Sequence, residues 1–474
     1  MRLAFFRSCA ATVYAAAAIL FCNAQEQHTM VYARGKSITL ALPPTLDINI
    51  AATGLKRVRF FAKAPDGRIF VTGMHDLSDN RRGSVFILEG WDEKTHTFAK
   101  ITHYLDHLRN PNNIAFWTDP ANGQHWLYLP LTDRLVRYKY NPGENAPSSQ
   151  PETLLKFPDY GLNYKYGGWH LTRTVAVVNL QGAPRIFVSI GSSCNYCQED
   201  EVFRASVVSM DPDGKHPKIE AQGMRNAVDL KQVLDIDNHA VFATNMGDDH
   251  LGDKLPEDTF FELATDAAPA PNYGWPTCYF ANGKPAHDTT ALPLLQDARE
   301  NGLTAQKPKD EDSVYGRQKG VAAAGTNLAA GGGSKRRSDP NANLGKAPEA
   351  LKSCDKVPAV YATFAAHSSP LGFAYFGTQD SNLSGNFLVA LHGASHPDIG
   401  TGYKVVRFTP ADRTPRDFIT GFLTTRNGKP VVHGRPCGIL RIDRDTFLLS
   451  DDYLGVIYYV TPSAKPAKGV DPVH

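Results

Sequence analysis

The chain has 474 residues, with 50 Lys plus Arg against 48 Asp plus Glu, 42% hydrophobic residues and 21% charged residues. These are ordinary globular proportions, and the near balance of charge excludes the single-sign field that draws in nucleic acid or an anionic membrane surface. The first segment, "MRLAFFRSCAATVYAAAAILFCNAQEQ", has Arg2 and Arg7, then an apolar run from Ala10 to Phe21, then small residues. That is the pattern of a signal peptide over residues 1–24, cleaved after Ala24, with the mature chain periplasmic or secreted. The apolar run is too short for a comfortable membrane span, so no stable membrane insertion is expected after cleavage.

Residues 25–53 form an N-terminal extension. From there the chain reads as short β-branched and aromatic runs separated by Gly, Pro, Asn and Asp: "RIFVT" (68–72), "GSVFILEG" (83–90), "HWLYLP" (125–130), "PRIFVSIG" (184–191), "HAVFATNMG" (239–247), "NFLVALHG" (386–393), "TFLLSDD" (446–452) and "GVIYYV" (455–460). Many short strands with turn signals between them predict an all-β sandwich, barrel or propeller. A repeat decides among these. Related units start at Gly54, Leu108, Gly168, Gly223, His367 and Gly434, about 55–70 residues apart except for the late fifth. The expectation is a six-bladed β-propeller over residues 54–462, with a tail at 463–474.

The late fifth unit reflects a long insertion, about residues 282–354, between the fourth and fifth blades. Its middle, "GVAAAGTNLAAGGGSKRRSDPNANLG", has too few large apolar residues to bury a core and is expected to be flexible. It reads as a plain surface excursion or, alternatively, as a lid. Five cysteines follow the signal segment: Cys194, Cys197, Cys278, Cys354 and Cys437. In an oxidising compartment the CxxC is expected to be a local bridge, and Cys278 is expected to pair with Cys354 across the insertion, leaving Cys437 over.

In a propeller the loops before the innermost strands face one end of the central channel. His170, Arg225, Asn226, His367, His392 and Arg435 are therefore expected to converge. His170, in "YGGWHLTRTVAVV", is a candidate general base, since imidazole titrates near neutrality.

The segments "GWHLTRTVAV", "SIGSSCNYCQED", "GMRNAVDL", "TNMGDDHLGDKLPEDTFFEL", "HSSPLGFAYF", "NFLVALHG" and "GRPCGI…LLSDD", in that order, resemble the sorbosone dehydrogenase branch of the soluble quinoprotein sugar dehydrogenases. The resemblance implies pyrroloquinoline quinone (PQQ) and calcium in the channel mouth. It implies oxidation of a sugar, aldose or related polyol or aldehyde, with hydride passing to the quinone and an electron acceptor that the sequence does not name. His170 matches the general base. Arg225, given a catalytic role as well, and Asn226 match a cofactor-contacting pair, and Gly247 and Asp248 match the calcium loop. Arg435, with His392, matches cofactor-binding positions. Two departures stand out. "RNAVDL" carries Asp229 in the turn after Asn226. "HGASHPDIG" lacks the tryptophan and arginine that relatives carry after His392, where His392 and Lys404 are the groups placed to replace the lost charge. These departures keep open a second reading, a degenerate propeller that binds a ligand or partner without catalysis. A third is a calcium-dependent lactonase, which would need carboxylates from several blades.

Overall fold

The structure, a computed structural model, describes residues 25–158, 170–180, 182–237, 240–265, 267–294, 339, 341–377 and 381–464. Residues 1–24, read above as a signal peptide, and the C-terminal end of the tail lie outside these residues, as do Trp169 and the 295–338 stretch of the insertion.

Six antiparallel four-stranded sheets form the blades of a six-bladed β-propeller. Their innermost strands are Val58–Lys63, Ala115–Thr118, Arg173–Leu180, Ala227–Gln232, Pro370–Phe376 and Pro436–Arg441. Each begins two to seven residues after a repeat start read from the sequence. The chain runs outward through each blade, strand by strand, by antiparallel pairing.

The continuous apolar runs have a direct explanation. Successive residues of a strand point to opposite faces, and a blade is covered on both faces by its neighbours, so both sets must be apolar. Phe187 packs into the gap between blades three and four, while Ile186 and Val188 pack into the gap between blades two and three. Val241 and Ala243 likewise face blade three, and Phe242 faces blade five. Similar clusters fill the gaps between blades one and two, five and six, and six and one.

Polar side chains then register the blades around the axis. Hydroxyls on the second strands, Thr72, Ser189, Thr244 and Ser450, each donate to a backbone carbonyl of the next blade, those of Asn112, Ala227, Leu371 and Arg59, at 2.5–2.9 Å. The Ser or Thr recurring in "FVT", "FVSIG", "FATN" and "LLSDD" is thus an inter-blade hydrogen bond made by four of the six blades.

The sixth blade is completed from the other end of the chain. Leu46–Ala52 pairs with Val456–Pro462 as its outer strand. Part of the region read as an extension therefore belongs to the propeller, because a closing strand carries no repeat of its own. The preceding hairpin, Glu26–Ala33 with Lys36–Leu42, packs Met30, Ile38 and Leu40 over the gap between blades five and six.

The insertion leaves blade four after its third strand, Asp258–Leu263, and returns as that blade's outer strand, Ala362–Phe364. It therefore lies inside the fourth blade rather than after it. Its base is ordered: a hairpin, Cys278–Ala281 with Lys284–His287, is tied by the Cys278–Cys354 disulfide, and Val357 packs beneath. Cys194 and Cys197 form the second disulfide, and Cys437 is free and buried. Among the described residues no helix is long and apolar enough to cross a membrane.

Candidate functional site

Phe60, Val228, Leu371 and Cys437, from blades one, four, five and six, close the channel axis as an apolar floor. Above them the loops before the innermost strands bring together two clusters of polar groups.

The first cluster is built on blades three to five. His170 lies three residues before the innermost strand of blade three, with φ at 46°, a left-handed conformation uncommon outside glycine. Arg173, fully buried at the start of that strand, donates to the His170 carbonyl and fixes the turn. The His170 Nδ1 lies 3.1 Å from the Ser192 carbonyl and 3.0 Å from Ser192 Oγ. Ser192 Oγ gives its own hydrogen to the Cys194 carbonyl at 2.6 Å, so both contacts are acceptors. The network thus assigns the proton to Nδ1 and makes Nε2 the basic ring atom. Burial, and then the positive charge of Arg225, push the His170 pKa well below its ordinary value.

Gly191 explains how close these groups come. A Cβ there would lie 2.5 Å from His170 Cβ and 2.9 Å from Asn226 Oδ1. His170 and Asn226 flank the same missing side chain. Arg225 is buried, with Nε donating to the Asn195 carbonyl at 3.0 Å, a second guanidinium nitrogen to Asn195 Oδ1 at 2.6 Å and the third to the Gly247 carbonyl at 2.6 Å. It also pairs with Asp249 at 3.5 Å. Asp249 accepts from His367, whose other ring nitrogen meets the Gly252 carbonyl. These acceptors push the His367 pKa up to about 9, so this imidazole is cationic at neutral pH.

The second cluster joins blades five, six and one. Asp452 is fully buried and receives His392 Nε2 at 2.8 Å, Arg59 at 3.0 Å and Arg57 at 3.4 Å. Burial alone would raise its carboxyl pKa. The hydrogen-bonded His392 and the two guanidiniums outweigh that and hold it far below the usual carboxylate range. Burial depresses His392 to about 4, leaving it neutral. Ser369 joins the two clusters: its N–H donates to Asp258, which also receives the Gly247 N–H, and its carbonyl accepts from the His392 N–H.

Of the residues singled out from sequence, His170, Arg225, Asn226 and His367 fall in the first cluster and His392 and Arg435 in the second, but their side chains are committed differently from the expectation. Arg435 donates to the Gly393 and Ala394 carbonyls and to the Tyr403 hydroxyl, and packs over the Tyr403 ring. It braces the loop after His392. His392 spends Nε2 on Asp452. Lys404 pairs with Asp417, along its own sheet. Asp229 turns into the seam with blade five, bonding Lys231 and the Phe373 N–H, so the altered "RNAVDL" turn adds no carboxylate to the mouth. Sequence reasoning missed Ser192, Asn195, Arg57 and Asp452. The only signals were the CxxC loop around Asn195 and the paired acids of "LLSDD".

Gly247 and Asp248 do not fit a calcium ion as arranged. The Gly247 carbonyl is taken by the Arg225 guanidinium, and Asp248 is turned to His250, which Asp288 holds from its other side. Arg57, Arg59, Arg225, Arg435 and protonated His367 meet Asp249, Asp258, Asp451 and Asp452 there, so the cations of the mouth are largely paired within it.

No protein-family model and no curated protein matches the sequence. Solved structures do resemble it. The holo PQQ domain of pyranose dehydrogenase from Coprinopsis cinerea is 15% identical, with a TM-score of 0.58 over 89% of this chain and 97% of that one. The calcium structure of a carbohydrate-active enzyme of family AA12 from Trichoderma reesei is 15% identical, with a TM-score of 0.57 over 89% and 96%. The apo soluble aldose sugar dehydrogenase of Escherichia coli is 11% identical, with a TM-score of 0.50 over 88% and 100%. At these identities the likeness establishes the propeller fold.

Proposed function

We propose that this chain is an exported quinoprotein dehydrogenase of the soluble sugar dehydrogenase kind, in its sorbosone-type branch, oxidising an aldose or related polyol or aldehyde at a carbon bearing a hydroxyl. The observation that carries the reading is the pairing of a neutral, Nδ1-protonated His170 with the cationic side chain of Arg225 at the mouth of a six-bladed propeller. The structures it resembles include a PQQ domain of pyranose dehydrogenase and an aldose sugar dehydrogenase, and its two disulfides suit an oxidising compartment.

PQQ carries several carboxylates, which guanidinium groups suit. Arg225 and Arg57 would hold it, with Asn226 offering an amide N–H. When bound, PQQ supplies the electrophilic carbonyl that takes up the hydride. The protein's part is proton transfer and placement. His170 Nε2 takes the substrate hydroxyl proton as the C–H bond breaks, and the imidazolium it becomes is disfavoured by burial and by Arg225, which speeds proton release afterwards. Ser192 holds the ring in its tautomer, and Arg173 fixes the backbone turn that carries it. Since Gly247 and Asp248 offer no formed calcium site, no step is assigned to calcium.

The test is a titration of the purified chain with PQQ, followed by absorbance, and then dye reduction with aldoses. Saturable quinone binding with sugar-dependent turnover, lost in His170→Ala without loss of binding, is the expected result. Binding without turnover would replace this reading with the degenerate propeller. Absence of binding at micromolar quinone would remove the quinoprotein reading altogether.

A further inference from the structure

One short segment of blade three holds both of the groups just given chemical roles. It follows the second strand of that blade, Ala183–Ile190, and runs Gly191-Ser192-Ser193-Cys194-Asn195-Tyr196-Cys197. Its Ser192 meets the His170 ring with its carbonyl and its hydroxyl, and its Ser192 N–H donates to the Arg225 carbonyl at 2.8 Å. Three residues later the Asn195 carbonyl accepts from Arg225 Nε and from the Trp275 indole N–H. The Asn195 side-chain oxygen accepts from a second Arg225 nitrogen at 2.6 Å and from the Asp249 N–H at 3.0 Å. One residue thus receives four hydrogen bonds from three elements, two of them from the same guanidinium. The disulfide on either side of it, with both cysteines fully buried, closes the loop that carries it.

An arginine side chain has several rotatable bonds and gains direction only from its partners. Here Asn195 fixes the plane of the guanidinium by two of its edges, and the Gly247 carbonyl caps the third. We infer that Asn195, held by the Cys194–Cys197 bridge, is the positioning residue of the site: it sets the Arg225 guanidinium plane and, through the same segment, the spacing of Arg225 from His170. The inference rests on the proposed function for what Arg225 does, but not for where Arg225 is held.

Both side-chain contacts use the oxygen, so Asn195→Asp keeps both acceptors and Asn195→Ala removes them. In PQQ-loaded protein, Asn195→Ala is expected to lower kcat about a hundredfold, the scale of a misplacement of about 1 Å, with KM for the sugar little changed. Asn195→Asp is expected to restore kcat to within about threefold of wild type. Cys194→Ser/Cys197→Ser is expected to follow Asn195→Ala. A crystal structure of cofactor-free Asn195→Ala should show the guanidinium displaced from the Gly247 carbonyl. Wild-type kcat in Asn195→Ala would overturn the inference, as would an Asn195→Asp variant as impaired as the alanine variant. An undisplaced Arg225 in the crystal would overturn it too, and that readout stands even if wild-type protein proves to bind no quinone.

Discussion

Replacing Gly191 by alanine adds one methyl group where His170 and Asn226 come closest. That methyl would sit 2.5 Å from His170 Cβ and 3.2 Å from its Cγ. Carbon atoms in contact prefer about 3.5–4.0 Å, so His170 or the strand end has to give by about 1 Å. Ser192 holds the Nδ1 edge of the ring and Arg173 holds the His170 backbone carbonyl, which leaves Nε2 to take the displacement. A shift of that size costs about a hundredfold in rate when it moves a reacting group. Overpacking of this kind destabilises by about 1–3 kcal/mol. For a chain of 474 residues the unfolding entropy is about 1 kcal/mol/K, so Tm should fall by only about 1–3 °C. The assay is kcat for dye reduction in PQQ-loaded protein beside a thermal melt. A folded Gly191→Ala variant with kcat within about threefold of wild type would refute the placement of His170 at the reacting atoms.

Three further outcomes are expected. Because burial and Arg225 depress the His170 pKa, the acid limb of kcat/KM should lie below pH 6.5, the ordinary histidine value; a limb at or above it would contradict the environment described. Asp452→Asn should cost about 3–5 kcal/mol at neutral pH, since it leaves buried Arg59 uncompensated. A carboxyl with a depressed folded pKa contributes its stability above the unfolded value near 4 and loses it as pH falls, so the gap between wild type and Asp452→Asn should narrow below pH 4 by up to about 1.4 kcal/mol per pH unit. Urea melts from pH 7 to pH 2.5 measure this, and a constant gap would count against it. Removing the Cys278–Cys354 bridge, which spans 76 positions, should cost about 4.5 kcal/mol by chain entropy in comparable melts, while a change under about 1 kcal/mol would show that the unfolded chain is not constrained there.

Much of the architecture was legible because a propeller repeats one local pattern. Apolar runs such as "RIFVT" and "PRIFVSIG" mark strands buried on both faces, and the unit starts locate the innermost strands and hence the residues at the mouth. What escaped was non-local. Leu46–Ala52 carries nothing in its own sequence that names its partner some 400 positions away. The return strand Ala362–Phe364 is three residues long, too short to distinguish from the insertion before it. At the site, residue types and positions were readable, but the direction of each donor was not. Arg435 reads as a free guanidinium in "HGRPCG" and proves to brace Gly393, Ala394 and Tyr403. Gly247 reads as a bare carbonyl and proves to be capped by Arg225. Such commitments depend on loops from other blades, which no local pattern encodes.

The way the ring closes has a mechanical consequence. Arg57 and Arg59 follow directly on the closing strand Leu46–Ala52, and Asp452 lies in the turn that leads into its partner, Val456–Pro462. The buried ion pairs therefore straddle the seam and act as its clasp. A force that peels the outer strand from blade six must also separate those charges. The half of the mouth built on His392, Asp452, Arg57 and Arg59 would come apart in the same event, while His170, Arg225 and Asn195, across the ring on blades three and four, would remain assembled until those blades themselves gave way.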